Sequence, residues 1–420
     1  MLLLLLPIGV EANGAEPEGG RQVYPFINYK ANRIIFPGTS EAFSIFFHRW
    51  RRVAETGTGN LSIVHIGGSH VQAGTLSNTI RCNLLHAYPN LVGDRGMIFP
   101  YSAAARCNNP HDYCVRCPQK VSLTRNVYKQ YSHPLGLCGI SITAADTLTV
   151  INISLTEPTV SYATSRVVII GQSEQGVVPL LDIDGRQVYP SYVDKRTDRF
   201  VFNLSAPTDS FSVVLPCGAG KSFTLSGICL GNGHAGFSFH SIGVNGAAVT
   251  DYLRCENLVR DLRLLRPDMV IFGIGINDAV GRDFDTALFR ANYLALIDSV
   301  RAVNPDCALV FITNNDSYRR TRSRRRRYEV NANGPLAREV FLRVAKETGG
   351  GVWDQFEIMG GLRSMDKWYK AHLAQRDRVH FTGDGYRLLG NLFSEALFEA
   401  YNSLTPSPSP HGEGSRYQKN

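Results

Sequence analysis

Two near-continuous apolar runs, Met269–Ile274 and Ala308–Thr313, bracket a stretch of helical period over Phe284–Val303, with Leu288, Tyr293, Leu296 and Val300 at suitable spacings. Runs that are apolar at every position, not at every second one, suit parallel strands buried on both faces. Strand, helix, strand in that order needs a crossover, so this half of the chain is constrained to an α/β layer. The same grammar opens near the start. Leu61–Ile66 is a short apolar run that ends at Gly67-Gly68, and Thr75–His86 follows with helical spacing at Ile80, Leu84 and Leu85. Leu336–Ala345 and Tyr386–Tyr401 add two amphipathic helices.

Between these halves the period changes. Thr147–Ile153, Arg166–Ile170, Phe200–Leu204, Phe211–Leu215 and Phe223–Cys229 are short β-branched runs separated by turn signals such as Asp184-Gly185. Nothing from Ser122 to Asn232 sustains a helical period, so this stretch reads as an inserted all-β sandwich, jelly-roll-like in its strand spacing. The expected organisation is an unstructured, signal-like stretch (1–20), the first part of an α/β domain (21–121), the β insert (122–235), the second part of the α/β domain (236–404) and a low-complexity tail (405–420).

Met1–Val10 is apolar and runs into Ala12-Asn13-Gly14-Ala15, which resembles the end of a secretory signal without its basic start. A periplasmic or secreted location is the expectation. Ten apolar residues are too few to span a bilayer, so an integral membrane protein is not expected. Net charge is +8, but the seven arginines between Arg319 and Arg327 account for all but +1 of it. That distribution describes one basic loop and gives no reason to expect nucleic acid as a partner. Gly218-Ala219-Gly220-Lys221-Ser222 ends like a phosphate-binding loop, yet Leu215 stands where the first glycine belongs and a β-like run follows, so no nucleotide is expected. Cys114-Val115-Arg116-Cys117, with Cys107 and His111 before it, offers a crowded zinc set or, in an exported protein, one or two disulfides within Cys107–Cys138. No second CxxC or His pair stands at zinc spacing, and neither a metal nor an organic cofactor is expected. His48, His65, His86 and His133 read as structural.

Three short segments share one logic. Gly67-Gly68-Ser69-His70 sets a serine on a turn between strand and helix, where a nucleophile is exposed at the carboxyl end of the sheet. Gly275-Ile276-Asn277-Asp278 puts an amide at a second strand end, able to donate to an oxyanion. Asp377-Arg378-Val379-His380 precedes the last helix, and a carboxylate three residues before an imidazole can orient it as a base. Each alone is as well explained by a helix cap or by chance.

Together and in this order, the segments resemble the SGNH/GDSL hydrolase family. The resemblance implies a flavodoxin-like three-layer α/β/α fold and a serine esterase with Ser69, His380 and Asp377 as catalytic residues. Its oxyanion hole would be formed by Ser69, Asn277 and Gly246, the last in Gly243-Val244-Asn245-Gly246-Ala247. Ile66–Ala73, Arg95–Tyr101, His240–Gly246, Trp353–Phe356 and Lys367–Tyr369 are similar to the branch close to bacterial peptidoglycan O-acetylesterases, which carries a carbohydrate-binding-module-like sandwich within the hydrolase. The implied partner is an acetylated cell-envelope glycan. Plant polysaccharide acetyl groups, acetyl transfer with the same triad, and glycan binding by a decayed site are the alternatives. One departure stands out: the family has Asp before the serine, and this chain has Gly68. Tyr189, Tyr192 and Phe211 are the insert's candidate sugar-facing aromatics, with packing of the sandwich core as the bland reading.

Overall fold

The structure, a computed structural model, describes residues 22–104, 108–131, 133–173, 175–321 and 328–404. The expected signal and tail, Cys107 and the arginine run from 322 to 327 lie outside the described residues.

A seven-stranded sheet forms the middle layer: β1 (Ile34–Ile35), β2 (Asn60–Gly67), β3 (Val92–Asp94), β4 (Gly236–Gly243), β5 (Met269–Gly273), β6 (Ala308–Ile312) and β7 (Gly351–Trp353). Its spatial order is β1-β7-β6-β5-β2-β4-β3. Every pairing is parallel except β1 on β7. Leaving out the edge strands β1 and β3, the chain order maps to 2-1-3-4-5, the flavodoxin-like winding expected. The winding reverses at β2, so the crevice beyond the carboxyl ends of β2 and β5 is where such a sheet offers a site.

Alternation along each strand feeds both faces. Leu61 and Ile63 join a cluster with helices Glu41–Thr56, Thr75–Ala87 and Gly383–Leu404. Val64 and Ile66 face helices Leu258–Leu265, Thr286–Arg301 and Gly334–Thr348. Trp50, Trp353 and Trp368 are wholly buried in the first cluster, each contributing roughly 2–3 kcal/mol of apolar burial.

Between β3 and β4 the chain builds two antiparallel sheets. One orders strands 186–188, 180–183, 210–215, 149–155 and 113–116. The other orders 192–194, 199–208, 164–172, 223–231, 140–144 and 122–125, with 96–98 added on 223–231. The sandwich thus takes in Gly96–Ile98 and Tyr113–Arg116, ahead of residue 122, where the sequence reading began it. Gly96–Ile98 is too short to show a period, and Tyr113–Arg116 was masked by its CxxC. Cys114 lies in the strand Tyr113–Arg116 and Cys117 directly after it, and all eight described cysteines carry free thiols. Of the disulfides allowed within Cys107–Cys138, none forms among the described Cys114, Cys117 and Cys138. Among the described residues no three His, Cys, Asp or Glu groups are arranged to hold a metal, and no helix is long and apolar enough to cross a membrane. Phe211 is 3% exposed, so it packs the sandwich interior and cannot face a sugar, whereas Tyr189 and Tyr192 are 67% and 61% exposed.

One apolar cluster runs without a break from the sandwich interior (Ile151, Ile169, Phe202) to the sheet face at Val64 and Phe272. A charged knot reinforces the junction. Asp112 accepts from Arg81 at 3.2 Å and from Arg95, and all three side chains are 1% exposed. Arg81 also donates to Asn78 Oδ1 (2.8 Å) and the Phe239 carbonyl (3.3 Å), and its guanidinium lies over the Tyr162 and Phe239 rings.

Candidate active site

Three glycines set the stage. Gly67, Gly243 and Gly273 end β2, β4 and β5 in register, side by side across the sheet. The turn Ser69–Gln72, which follows β2, lies directly on this row: a Cβ at Gly243 would fall 2.3 Å from Gln72 N, and one at Gly67 2.3 Å from Val71 Cγ2. Only hydrogen side chains let the turn approach the strand ends this closely. Tyr252 and Tyr101 donate to the Gly67 and Gly243 carbonyls at 2.9 and 2.8 Å, satisfying backbone groups at the end of the ladder.

Ser69 therefore opens a helical turn, at the end where backbone N–H groups lack intrahelical acceptors. Its Oγ lies 2.7 Å from His380 Nε2. His380 Nδ1 is in turn 2.7 Å from Asp377 Oδ2. The other oxygen of Asp377 accepts from the Val379 and His380 amides at 2.9 and 3.0 Å, closing a tight local turn. Partial burial works against the Asp377 charge, but the His380 ring and these two amides outweigh it and hold the carboxyl at about 2. The carboxylate is thus ionised over the whole neutral range, and it fixes the imidazole with Nε2 turned to the serine. Such a chain can move the hydroxyl proton to the imidazole as the oxygen attacks a carbonyl.

The loop after β4 packs on the same turn. Gln72 Oε1 accepts from Asn245 N at 2.7 Å, and Val244 N donates to the Gly67 carbonyl at 3.2 Å. Gly246 is exposed at φ +86°, a conformation that L side chains rarely adopt. Asn277 donates Nδ2 to the Ala247 carbonyl at 2.9 Å, leaving its second amide hydrogen for another acceptor. Its neighbour Asp278 holds the Val249 amide with both oxygens, at 3.1 and 3.2 Å, and burial pushes this carboxyl up to about 6. Of the five residues expected from the sequence, Ser69, His380 and Asp377 are joined by direct hydrogen bonds. Asn277 is tied to the loop that carries Gly246.

Sequence reading passed over His70. Its Nδ1 is 2.8 Å from the Tyr386 hydroxyl, and its ring centre lies 5.2 Å from that of His380. Burial, reinforced by His380 and opposed by Asp377, pushes it down to about 3. It stays neutral, so it places no charge beside the His380 ring. His65 is buried with Nδ1 2.9 Å from Ser77 Oγ, a structural role.

The profile of the GDSL-like lipase/acylhydrolase family matches residues 228–388. This stretch contains Gly246, Asn277, Asp377 and His380 and begins after Ser69. No curated protein matches the chain. Among solved structures, a peptidoglycan O-acetylesterase is 20% identical with a TM-score of 0.70, covering 88% of this chain and 99% of its own. An acetyl xylan esterase, AlAXEase, is 19% identical at TM-score 0.31, covering 38% of this chain and 81% of its own. A family two carbohydrate esterase from Cellvibrio japonicus is 10% identical at TM-score 0.28, covering 70% and 99%. The profile runs through the asparagine and the Asp–His loop, on a sheet wound 2-1-3-4-5; over residues 228–388 the chain is similar to the GDSL-like lipase/acylhydrolase family.

Proposed function

We propose that this protein is an exported serine esterase that removes O-acetyl groups from a cell-envelope glycan, with peptidoglycan as the preferred polymer. Ser69 attacks the acetyl carbonyl while His380 Nε2 takes its proton, and Asp377 holds the imidazole. The backbone N–H groups of Ser69 and Gly246 and the Asn277 amide receive the oxyanion. His380 then returns the proton to the departing sugar oxygen, and water, activated by the same imidazole, releases acetate from Ser69. The observation that carries this reading is the pair of 2.7 Å contacts that run Ser69–His380–Asp377. The peptidoglycan assignment draws on the fold shared with the O-acetylesterase and on the sequence likeness at Arg95–Tyr101 and His240–Gly246.

The test is acetate release from O-acetylated peptidoglycan and from acetylated xylan, by the parent and by Ser69→Ala. The parent is expected to prefer peptidoglycan, and the alanine variant to lose ~10³-fold or more in rate with an unchanged thermal transition. Near-normal turnover by Ser69→Ala would reject the nucleophile. Equal rates on both polymers, or a preference for xylan, would reject the substrate.

A further inference from the structure

We infer that Arg378, which follows Asp377 in the chain, is a positioning residue that holds the Asp377–His380 pair in register with Ser69. The inference rests on the proposed roles of those three residues. Arg378 stands at φ +57°, in the left-handed region that few side-chain-bearing residues occupy. That twist turns the chain so that the Asp377 carboxylate can meet both the amide and the ring of His380 three residues on. A backbone held there needs something to hold it.

The arginine side chain supplies the hold. Its guanidinium lies over the ring of Tyr369 at 4.4 Å and over that of Tyr328 at 4.8 Å. Its Nε donates to Asp366 Oδ1 at 2.5 Å, and Nη1 donates to the Arg376 carbonyl at 3.2 Å. The backbone is gripped as well: Arg378 N donates to the Gln375 carbonyl (3.1 Å), and its own carbonyl accepts from Tyr318 N (3.0 Å). Tyr318 closes the circuit by donating its hydroxyl to Asp366 Oδ2 at 3.0 Å.

These partners come from two separate elements. Tyr369 and Asp366 belong to helix Met365–Lys370; Tyr318 and Tyr328 belong to a hairpin whose strands are Tyr318–Arg320 and Tyr328–Val330. Arg378 is where both meet the catalytic loop. A planar cation that stacks on two rings and donates sideways to a carboxylate describes arginine and not lysine. Removing it leaves the loop attached at its ends while freeing the twist between Asp377 and His380. The role assigned to Arg378 is to hold the loop's geometry, so the loss is expected in turnover and not in binding.

The test uses the full chain and 4-nitrophenyl acetate. Arg378→Ala is expected to lower kcat by about ten- to hundredfold, as positioning losses do, with KM nearly unchanged. Millimolar guanidinium should restore a large part of that kcat, by filling the slot between Tyr328 and Tyr369, whereas equal ammonium should not. Arg378→Lys keeps the charge near Asp366 and is expected to show the same kcat loss and the same guanidinium response. Should the alanine variant fail to fold, the lysine variant carries the test alone. Normal kcat in folded Arg378→Lys, or a kcat loss that guanidinium leaves untouched, would overturn the inference. His380→Ala, run alongside, separates the two readings: if it keeps activity, the proposed base is wrong, and the clamp argument falls with it. If it is inactive while Arg378 variants are normal, only the clamp is wrong.

Discussion

Replacing Asp112 by Asn tests whether the junction of sandwich and sheet depends on its buried charges. The carboxylate is in direct contact with two guanidiniums, and all three side chains are 1% exposed. Burial alone would raise the Asp112 carboxyl, but Arg95 and Arg81 win and hold it below its ordinary value. Each contact near 3–4 Å is about 4 kcal/mol of Coulomb attraction at an effective dielectric of 20. Most of that is offset by desolvation in the intact cluster. It is not offset once the carboxylate is gone, because two cations stay buried without a counter-ion. Breaking one buried pair costs about 3–5 kcal/mol, so Asp112→Asn should sit at the top of that range and lower the melting temperature by roughly 6 °C. Calorimetry and urea unfolding of the two proteins measure it. The triple change Arg81→Met, Arg95→Leu, Asp112→Leu should recover most of the loss, since apolar replacement removes the stranded charges. A melting temperature for Asp112→Asn within about 2 °C of the parent, with the urea slope unchanged, would mean that the guanidiniums are solvated and the argument fails.

The same carboxyl gives a pH dependence. Its folded value lies below its unfolded one, so its contribution is complete above the unfolded value near ~3.9 and drains away as pH falls towards the folded value. Asp112→Asn should therefore flatten the acid side of the stability curve, and an unchanged acid limb would count against the knot. Asn277→Ala is expected to cut kcat by ~10²–10³ with little change in KM, as the loss of one oxyanion donor does; a loss confined to KM would reassign the amide to ground-state binding. Gly68→Ala should stay within about threefold of the parent, because the added Cβ meets Asn277 Nδ2 and the Ala247 carbonyl at 3.4 and 3.5 Å, ordinary contacts. Gly68→Asp, which the family resemblance suggests is benign, is expected to cost about tenfold here. Its carboxylate enters beside the Ala247 and Val244 carbonyls and competes for the Asn277 amide. Parental activity in that variant would show that the carboxylate finds other donors.

What could be read from the sequence follows from how local each signal is. β5 and β6 are apolar at nearly every position, and β2 is buried from Leu61 to Gly67, because both their faces are covered, and that pattern survives without any knowledge of partners. β1, β3 and β7 are two or three residues long, shorter than any period, and their pairing is decided by neighbours far along the chain. Ser69, Asn277 and the Asp377–His380 loop were visible because each follows a strand or precedes a helix, with small or turn-forming residues beside it. His70 and Arg378 were not. The value of His70 lies in Tyr386 and His380, more than 300 residues away, and that of Arg378 in rings at Tyr328 and Tyr369. The CxxC, for which neither a metal nor a cofactor is expected, lies at the end of the strand Tyr113–Arg116, with both thiols free.

The nesting of the sandwich has a kinetic consequence. β2 leaves the ribosome long before its neighbour β4, with about 170 residues between them, and an open loop of that length costs roughly 4–5 kcal/mol to close. The finished sandwich removes most of that cost, because it brings its own two ends together. Asn232, just before β4, donates its side chain to the Gly93 carbonyl at 3.0 Å and its amide to Asp94 at 2.7 Å, clipping the outgoing chain to the incoming one. Once that clip is made, the remaining strand has only a short path to its place beside β2. The insert would then act as an internal template that must mature first, and the order of folding would run from the middle of the chain outward to the parallel sheet and the serine turn it supports.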